Sequence, residues 1–351
     1  MKFNQDVFKE LVNIYTPGGF EDNLESFWEN NITSDYYNLL PTNSLVGYLG
    51  IPGTLADKIM FSAHSDEISL TITCVNEEGF VYFRGVGGWD RGVLLGQQVS
   101  VLSCGMKPIN GVISRDPIHV LESGGEAIPK YGNLYIDIGA NDKEDALSMI
   151  SIGDPVILKK DLIELANDNI TARGIDNKVS IYCLVELSRK LEQRLKIDQL
   201  KYSVWYVASS QEESTMLGAS TVAAKLDPTE AIVVDVAITT DTPSPGGSDI
   251  ENTYLGDIKL GAGPVINIGG ILNRKITDQL IQTAEDWGIP YQEVAYAGDG
   301  GTEADYITTK GFGVPTGLVS IPCRYMHSTV EVVNKTDIMN TVKLLAEYCC
   351  I

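Results

Sequence analysis

The sequence predicts an α/β fold: a mixed sheet sandwiched by helices, with a small all-β barrel inserted into it. Three observations carry this prediction. Apolar runs of strand length alternate with helical periodicity through the second half of the chain, the pattern of a sheet covered by helices. Between about Leu70 and Asp161 the texture changes to short β-like runs separated by Gly, Pro and Asn. With 351 residues the chain is long enough for two cores, at roughly one per 150 residues. The expected division is one α/β unit made of residues 1–69 and 162–351, interrupted by a barrel over 70–161.

Taken in order, Leu24, Phe27, Trp28 and Ile32 fall on one helical face, with Asp22 and Asn23 as expected caps. Lys58–Ala63 reads as a buried strand that runs directly into His64. In the insertion, strands are expected at Leu70–Val75, Val81–Arg84, Val99–Ser103 and Gly111–Ser114, with one helix at Lys143–Ile150. The second half predicts a helix at Lys178–Arg194, a strand at Tyr202–Ser210, a helix at Leu217–Lys225 and a strand at Ala231–Ala237. It continues with a helix at Arg274–Trp287, a strand at Tyr291–Ala297, a short helix at Glu303–Lys310, a strand at Val314–Ser320 and a last helix at Lys335–Tyr348.

Composition narrows the function classes. Lys and Arg total 26 against 47 Asp and Glu, a formal charge of −21, so a nucleic-acid backbone would be repelled. No apolar stretch is long enough to span a bilayer, and Met1–Gly19 lacks the apolar core of a signal peptide. A cytoplasmic protein is expected. None of the six cysteines forms a C-x-x-C pair, so free thiols are expected rather than a cysteine metal site.

The chemistry-bearing residues cluster at expected strand ends. The only histidines are His64, His119 and His327. His64 closes an apolar strand in His64-Ser65-Asp66-Glu67, at the end where α/β sheets bind ligands. Asp66 is close enough to fix its tautomer, although a capped loop would explain His64 alone. Glu212 and Glu213 follow the run Val204–Ala208. Being adjacent, they point in different directions, so one could hold a metal while the other faces a reacting water. A helix N-terminus, which welcomes acidic residues, explains them too.

Asp235 follows four apolar strand residues, where an unpaired carboxylate would be costly and a cation would remove the cost. Asp176 precedes a helix and could simply cap it. His327 follows another strand. His119, with apolar neighbours Ile118 and Val120, reads as structural.

Together His64, Asp176, Glu213, Asp235 and His327 offer two imidazoles and three carboxylates, a mix that suits Zn²⁺ or Co²⁺. Five donors are too many for one tetrahedral ion with an open position. They suit two ions if one carboxylate bridges. Two such ions, about 3.5–4 Å apart, can hold a hydroxide nucleophile and polarise a carbonyl together. Glu212 would then be the general base.

These residues lie in motifs that resemble the glutamyl/deblocking aminopeptidases, the dinuclear metallopeptidases that include the tetrahedral TET particles. The motifs are Ala63-His64-Ser65-Asp66-Glu67-Ile68, Gly174-Ile175-Asp176-Asn177, Gln211-Glu212-Glu213, Val234-Asp235-Val236 and Arg324-Tyr325-Met326-His327-Ser328. Softer matches, among them Val86-Gly87-Gly88-Trp89-Asp90, extend the resemblance over nearly the whole chain. It implies that His64, Asp176 and Asp235 hold one metal and Asp176, Glu213 and His327 the other, with Asp176 bridging. It also implies Glu212 as base and Asp66 as the partner of His64. The implied activity is removal of the N-terminal residue from short peptides with a free N-terminus. Two divalent ions per subunit serve it, zinc first, with Co²⁺ or Mn²⁺ also accepted by such donors. Family members assemble as homo-oligomers, from dimers to dodecamers.

Three departures stand out. The bridging motif reads Gly-Ile-Asp-Asn-Lys, where many relatives have Phe-Asp-Asp-Arg. Glu303 replaces the usual Asp in Gly300-Gly301-Thr302-Glu303-Ala304. Ser214-Thr215-Met216-Leu217-Gly218 lacks the arginine common after Glu213. The alternatives are a related dinuclear deacylase or dipeptidase, an endoglucanase as some relatives are labelled, and a non-catalytic binding protein. Glu212 and all five donors are present, which argues against the last. No acid pair separate from the donors supports glycoside hydrolysis.

Overall fold

The structure is a computed structural model that describes residues 2–51, 57–103, 107–117, 119–120, 128–197, 200–243, 255–298 and 301–350. Cys104 and Gly300 lie outside the described residues. In chain order the strands are β1 (Tyr36–Leu39), β2 (Leu45–Leu49), β3 (Lys58–His64), β4 (Ser69–Val75), β5 (Val81–Val86), β6 (Gln98–Val101), β7 (Ile109–Ser114), β8 (Tyr135–Asp137) and β9 (Pro155–Leu158). They continue with β10 (Ile163–Glu164), β11 (Asn169–Ala172), β12 (Ser203–Ser209), β13 (Glu230–Ile238), β14 (Val265–Ile268), β15 (Gln292–Ala295), β16 (Thr316–Cys323) and β17 (Glu331–Asn334).

Eight strands form the main sheet in the order β1-β2-β12-β3-β13-β16-β14-β15. Its centre, β12-β3-β13-β16, is parallel, and both flanks carry antiparallel pairs, so the sheet is mixed. Strand β3 explains why it needs helices on both faces. Ile59, Phe61 and Ala63 point to one side, into a core with the helices Gln5–Asn13, Ile175–Leu195, Arg274–Asp286 and Lys335–Tyr348. Met60 points to the other, with Ala219 and Val222 of the helix Leu217–Leu226 and Ile307 of the short helix Ala304–Ile307. The second α/β half thus wraps a sheet that begins before the barrel.

Strands β4-β5-β8-β7-β6-β9 close into a barrel around Leu70, Ile72, Val81, Phe83, Val99, Ile113, Ile136 and Val156. The helix Lys143–Met149 packs beside it with Ala146 buried. A separate three-stranded sheet has the order β10-β11-β17.

Several local expectations shift. Asp22 and Asn23 do not cap the second helix: they lie in a 3-10 turn, Glu21–Leu24, that leads into the helix Glu25–Asn31. The Asn23 amide is engaged elsewhere, donating to Tyr15 O at 2.8 Å. Strand β16 runs past Ser320 to Cys323 through Pro322. Beyond Ser320 only β13 pairs with it, so a residue without an N–H is tolerated there. Helical bonding begins at Ile175 rather than Lys178, although Asp176 and Asn177 keep non-helical dihedrals. His119, read as structural, is exposed in a turn after β7, as is Val120.

Candidate active site

The parallel strands bring their C-terminal ends to one side of the sheet. His64 is the last residue of β3 and is almost fully buried. Beside it, β12 ends at Ser209, and the chain turns through Gln211, which has φ +56°, into the single helical turn Glu212–Thr215. Asp235 lies within β13, not past its end. Pairing with β3 stops at Val233, so Asp235 stands on the open flank of the crevice. His327 sits in the loop between β16 and β17 with φ +60°.

Asp176 occupies the middle of this group. Its Oδ1 is 3.0 Å from His64 Nε2 and its Oδ2 is 3.4 Å from His327 Nε2. It does not cap the helix, whose N-cap position is Gly174 with no side-chain bond. His64 Nε2 is also 3.8 Å from Asp235 Oδ1 and 3.9 Å from Glu212 Oε2. His327 Nε2 is 3.5 Å from Glu213 Oε2. Two triads of donor atoms, His64-Asp176-Glu213 and His64-Glu212-Asp235, each fall within 4.8 Å of one another.

Asp66 does more than its spacing suggests. His64 Nδ1 lies 3.1 Å from the Asp66 carbonyl oxygen and 3.6 Å from its carboxylate. The carboxylate itself accepts the main-chain N–H of Glu212 at 2.9 Å and of Glu213 at 3.1 Å. One residue therefore orients the imidazole with its carbonyl and the acidic pair with its side chain.

The electrostatics are those of a site short of positive charge. Burial pushes the Glu212 carboxyl up to about 9, against the pull of His64 and with Asp235, Asp176 and Glu303 adding repulsion. Burial likewise raises Asp235 to about 6, despite His64, and Glu213 well above the usual carboxylate range. Asp176 is the exception: burial would raise it, but His327 and His64 hold it down. Glu213 Oε1 is buried without a hydrogen-bond partner. An orphaned carboxylate oxygen among imidazoles and acids is what a divalent cation would satisfy, so the residues fit one.

Other contacts were less legible. Thr302 Oγ1 donates to Asp235 Oδ2 at 2.8 Å. Glu303 is buried and turned into the sheet, accepting from Ser62 Oγ at 2.7 Å and from Ser209 Oγ. Its extra methylene spans β3 and β12. The Gly87-Gly88 pair carried a signal, two adjacent glycines after a strand, but no role. A Cβ at Gly88 would lie 2.8 Å from His327 Nδ1, and one at Gly87 would lie 2.9 Å from Glu213 Oε2. The barrel thus supplies a wall that only glycine leaves open. The cavity has a volume of about 250 Å³, with Met216, Val236 and Met326 as its apolar lining. A larger cleft of about 850 Å³ between Phe3 and Lys335 carries no such donor cluster among the described residues.

A family model described as M42 glutamyl aminopeptidase matches residues 48–344. The chain belongs to this family. A putative aminopeptidase of Acetivibrio thermocellus is 31% identical over 349 residues, covering 98% of each chain. Among solved structures, aminopeptidase APDkam598 from the archaeon Desulfurococcus kamchatkensis has a TM-score of 0.87 at 32% identity, over 98% of this chain and 93% of that one. The Pyrococcus horikoshii TET1 peptidase, which can assemble into a tetrahedron or a large octahedral shell, has a TM-score of 0.84 at 28% identity, over 98% of each. The M42 chain described here is thus a peptide hydrolase on an α/β scaffold with an inserted barrel. Among its described residues no helix is long and apolar enough to cross a membrane.

Proposed function

We propose that this protein is a dinuclear metal-dependent aminopeptidase that removes the N-terminal residue from short peptides. The observation that carries the reading is the placement of Asp176, each carboxylate oxygen facing a different imidazole. His64, Asp176 and Asp235 would hold one divalent ion, and Asp176, Glu213 and His327 the other. When bound, such ions act as Lewis acids and make water a nucleophile near neutral pH, with zinc foremost and Co²⁺ or Mn²⁺ also suited to these donors.

The protein residues supply the rest. Glu212 is the general base: with the positive charge of bound ions lowering its burial-raised carboxyl, its carboxylate would take the proton of the attacking water and return it to the leaving amine. Its backbone is fixed by Asp66, so the carboxylate is presented to the cavity rather than to solvent. Asp66 also sets the His64 ring. The cavity is small, which favours a chain end over an internal segment. In this reading residues 1–69 and 162–351 form the catalytic unit and 70–161 the inserted barrel. The protein works as a cytoplasmic homo-oligomer, between a dimer and a dodecamer. The TET1 relative's assembly supports the oligomer, and the free thiols of Cys74, Cys183, Cys323, Cys349 and Cys350 suit the cytoplasm.

The test uses aminoacyl chromogenic substrates and their N-acetylated forms. Turnover of the free amines should vanish with a chelator and return with Zn²⁺ or Co²⁺. Equal or better turnover of the acetylated forms would replace the aminopeptidase reading with a deacylase one.

A further inference from the structure

Behind the donors, a second buried carboxylate grips the site. Glu331 opens β17 and is 1% exposed. Its Oε2 accepts the main-chain N–H of Asp176 at 3.0 Å, and its Oε1 accepts the main-chain N–H of His327 at 3.0 Å. Those two residues come from different elements, and neither is fixed by its own. Asp176 has φ −73° and ψ 106° inside a helical span, and His327 sits in the left-handed region.

Glu331 is itself stapled to the segments that carry both. It pairs with Ala172 at the end of β11, four residues before Asp176. Its neighbour Val332 exchanges main-chain hydrogen bonds with Arg324, three residues before His327, at 2.9 and 3.0 Å. One carboxyl group accepts both N–H groups, one on each of its oxygens.

We propose that Glu331 is a positioning residue that sets the separation of Asp176 and His327, and through them the shape of the Asp176-Glu213-His327 donor set, without touching substrate. The proposal rests on the two-metal reading above. A glutamine cannot replace it: its amide offers one oxygen and sets an NH₂ against the other N–H.

The experiment titrates metal-free parent and Glu331→Gln with Zn²⁺ under chelator buffering and counts bound ions. The parent should bind two per chain. In the variant the ion that has His327 among its donors should lose roughly tenfold or more in affinity, as supporting residues of metal ligands do, while the other, which shares only Asp176, should lose less. Excess Zn²⁺ should restore kcat, with KM little changed. A merely structural carboxylate would lower thermal stability without separating the two affinities. Hydrogen exchange of the metal-free parent gives an arm that needs no variant: the Asp176 and His327 amides should exchange slowly. Two parent-like affinities in a folded Glu331→Gln, or rapid exchange at both amides, would overturn the proposal. A parent that binds no divalent ion would overturn the two-metal reading along with it.

Discussion

Glu212 and Glu213 share a backbone turn but face different partners. Asp66 holds both main chains, and the two carboxylates diverge toward different imidazoles, 3.9 Å from His64 and 3.5 Å from His327. Glu212→Gln should therefore leave metal content intact while cutting kcat by about 10² or more, read by metal analysis beside steady-state kinetics. A variant with full metal and near-normal turnover would remove Glu212 from its role. Gly88→Ala makes a complementary prediction. The new methyl would press on the His327 ring, so the fold should persist while the affinity for one ion drops, measured by the same titration. At this scale His64 was legible because an apolar run ends on it. Asp235 was legible because a charge follows four apolar residues. Glu331 and Gly88 were not. What they do depends on main-chain groups and close approaches from distant segments, which leave no periodic trace.

At the scale of elements, the loop after β3 and the segment before the long helix are tied by buried charges. Glu67 accepts from Lys178 Nζ at 2.5 Å, from Arg173 and from Thr16 N at 3.0 Å. Arg173 and Lys178 also donate to Val12 O and Ile14 O, so the N-terminal segment is fastened to the same knot. Glu67→Gln leaves two buried cations without their acid and should cost about 3–5 kcal/mol in a denaturant titration. The pH sign follows from the carboxyl. Burial would raise it, but Arg173 and Lys178 hold it down, from 4.5 to about 2. Its contribution is present above about 4.5 and is lost as pH falls toward about 2, so the parent's lead over Glu67→Gln should shrink across that window.

The cavity walls make a third element-scale prediction. Met216, Val236 and Met326 are apolar, and no Lys or Arg is among the described lining residues. A leucyl substrate should exceed a glutamyl one in kcat/KM by roughly tenfold, and the reverse order would refute it.

The parallel centre of the sheet and the switch to a barrel were legible because each has its own period. The β1–β2 hairpin leaves no such period because its outer strand is only half-buried and short.

For the whole molecule, the formal charge of −21 keeps like surfaces apart and disfavours anionic polymers. An assembly of such chains would have to rely on surfaces that survive this repulsion. Static light scattering at low and high salt should give one mass, a multiple of the 38.2 kDa chain no smaller than two. A monomer at both would reject the oligomer.

The Gly87–Gly88 wall has a last consequence for how the molecule can be cut. Excising the barrel would remove none of the five donors and neither acidic partner behind them, so an inventory of ligands would call the remainder intact. Yet one imidazole would lose its backing and its loop would face open water. The barrel therefore closes one side of the candidate crevice rather than hanging as an ornament beside it.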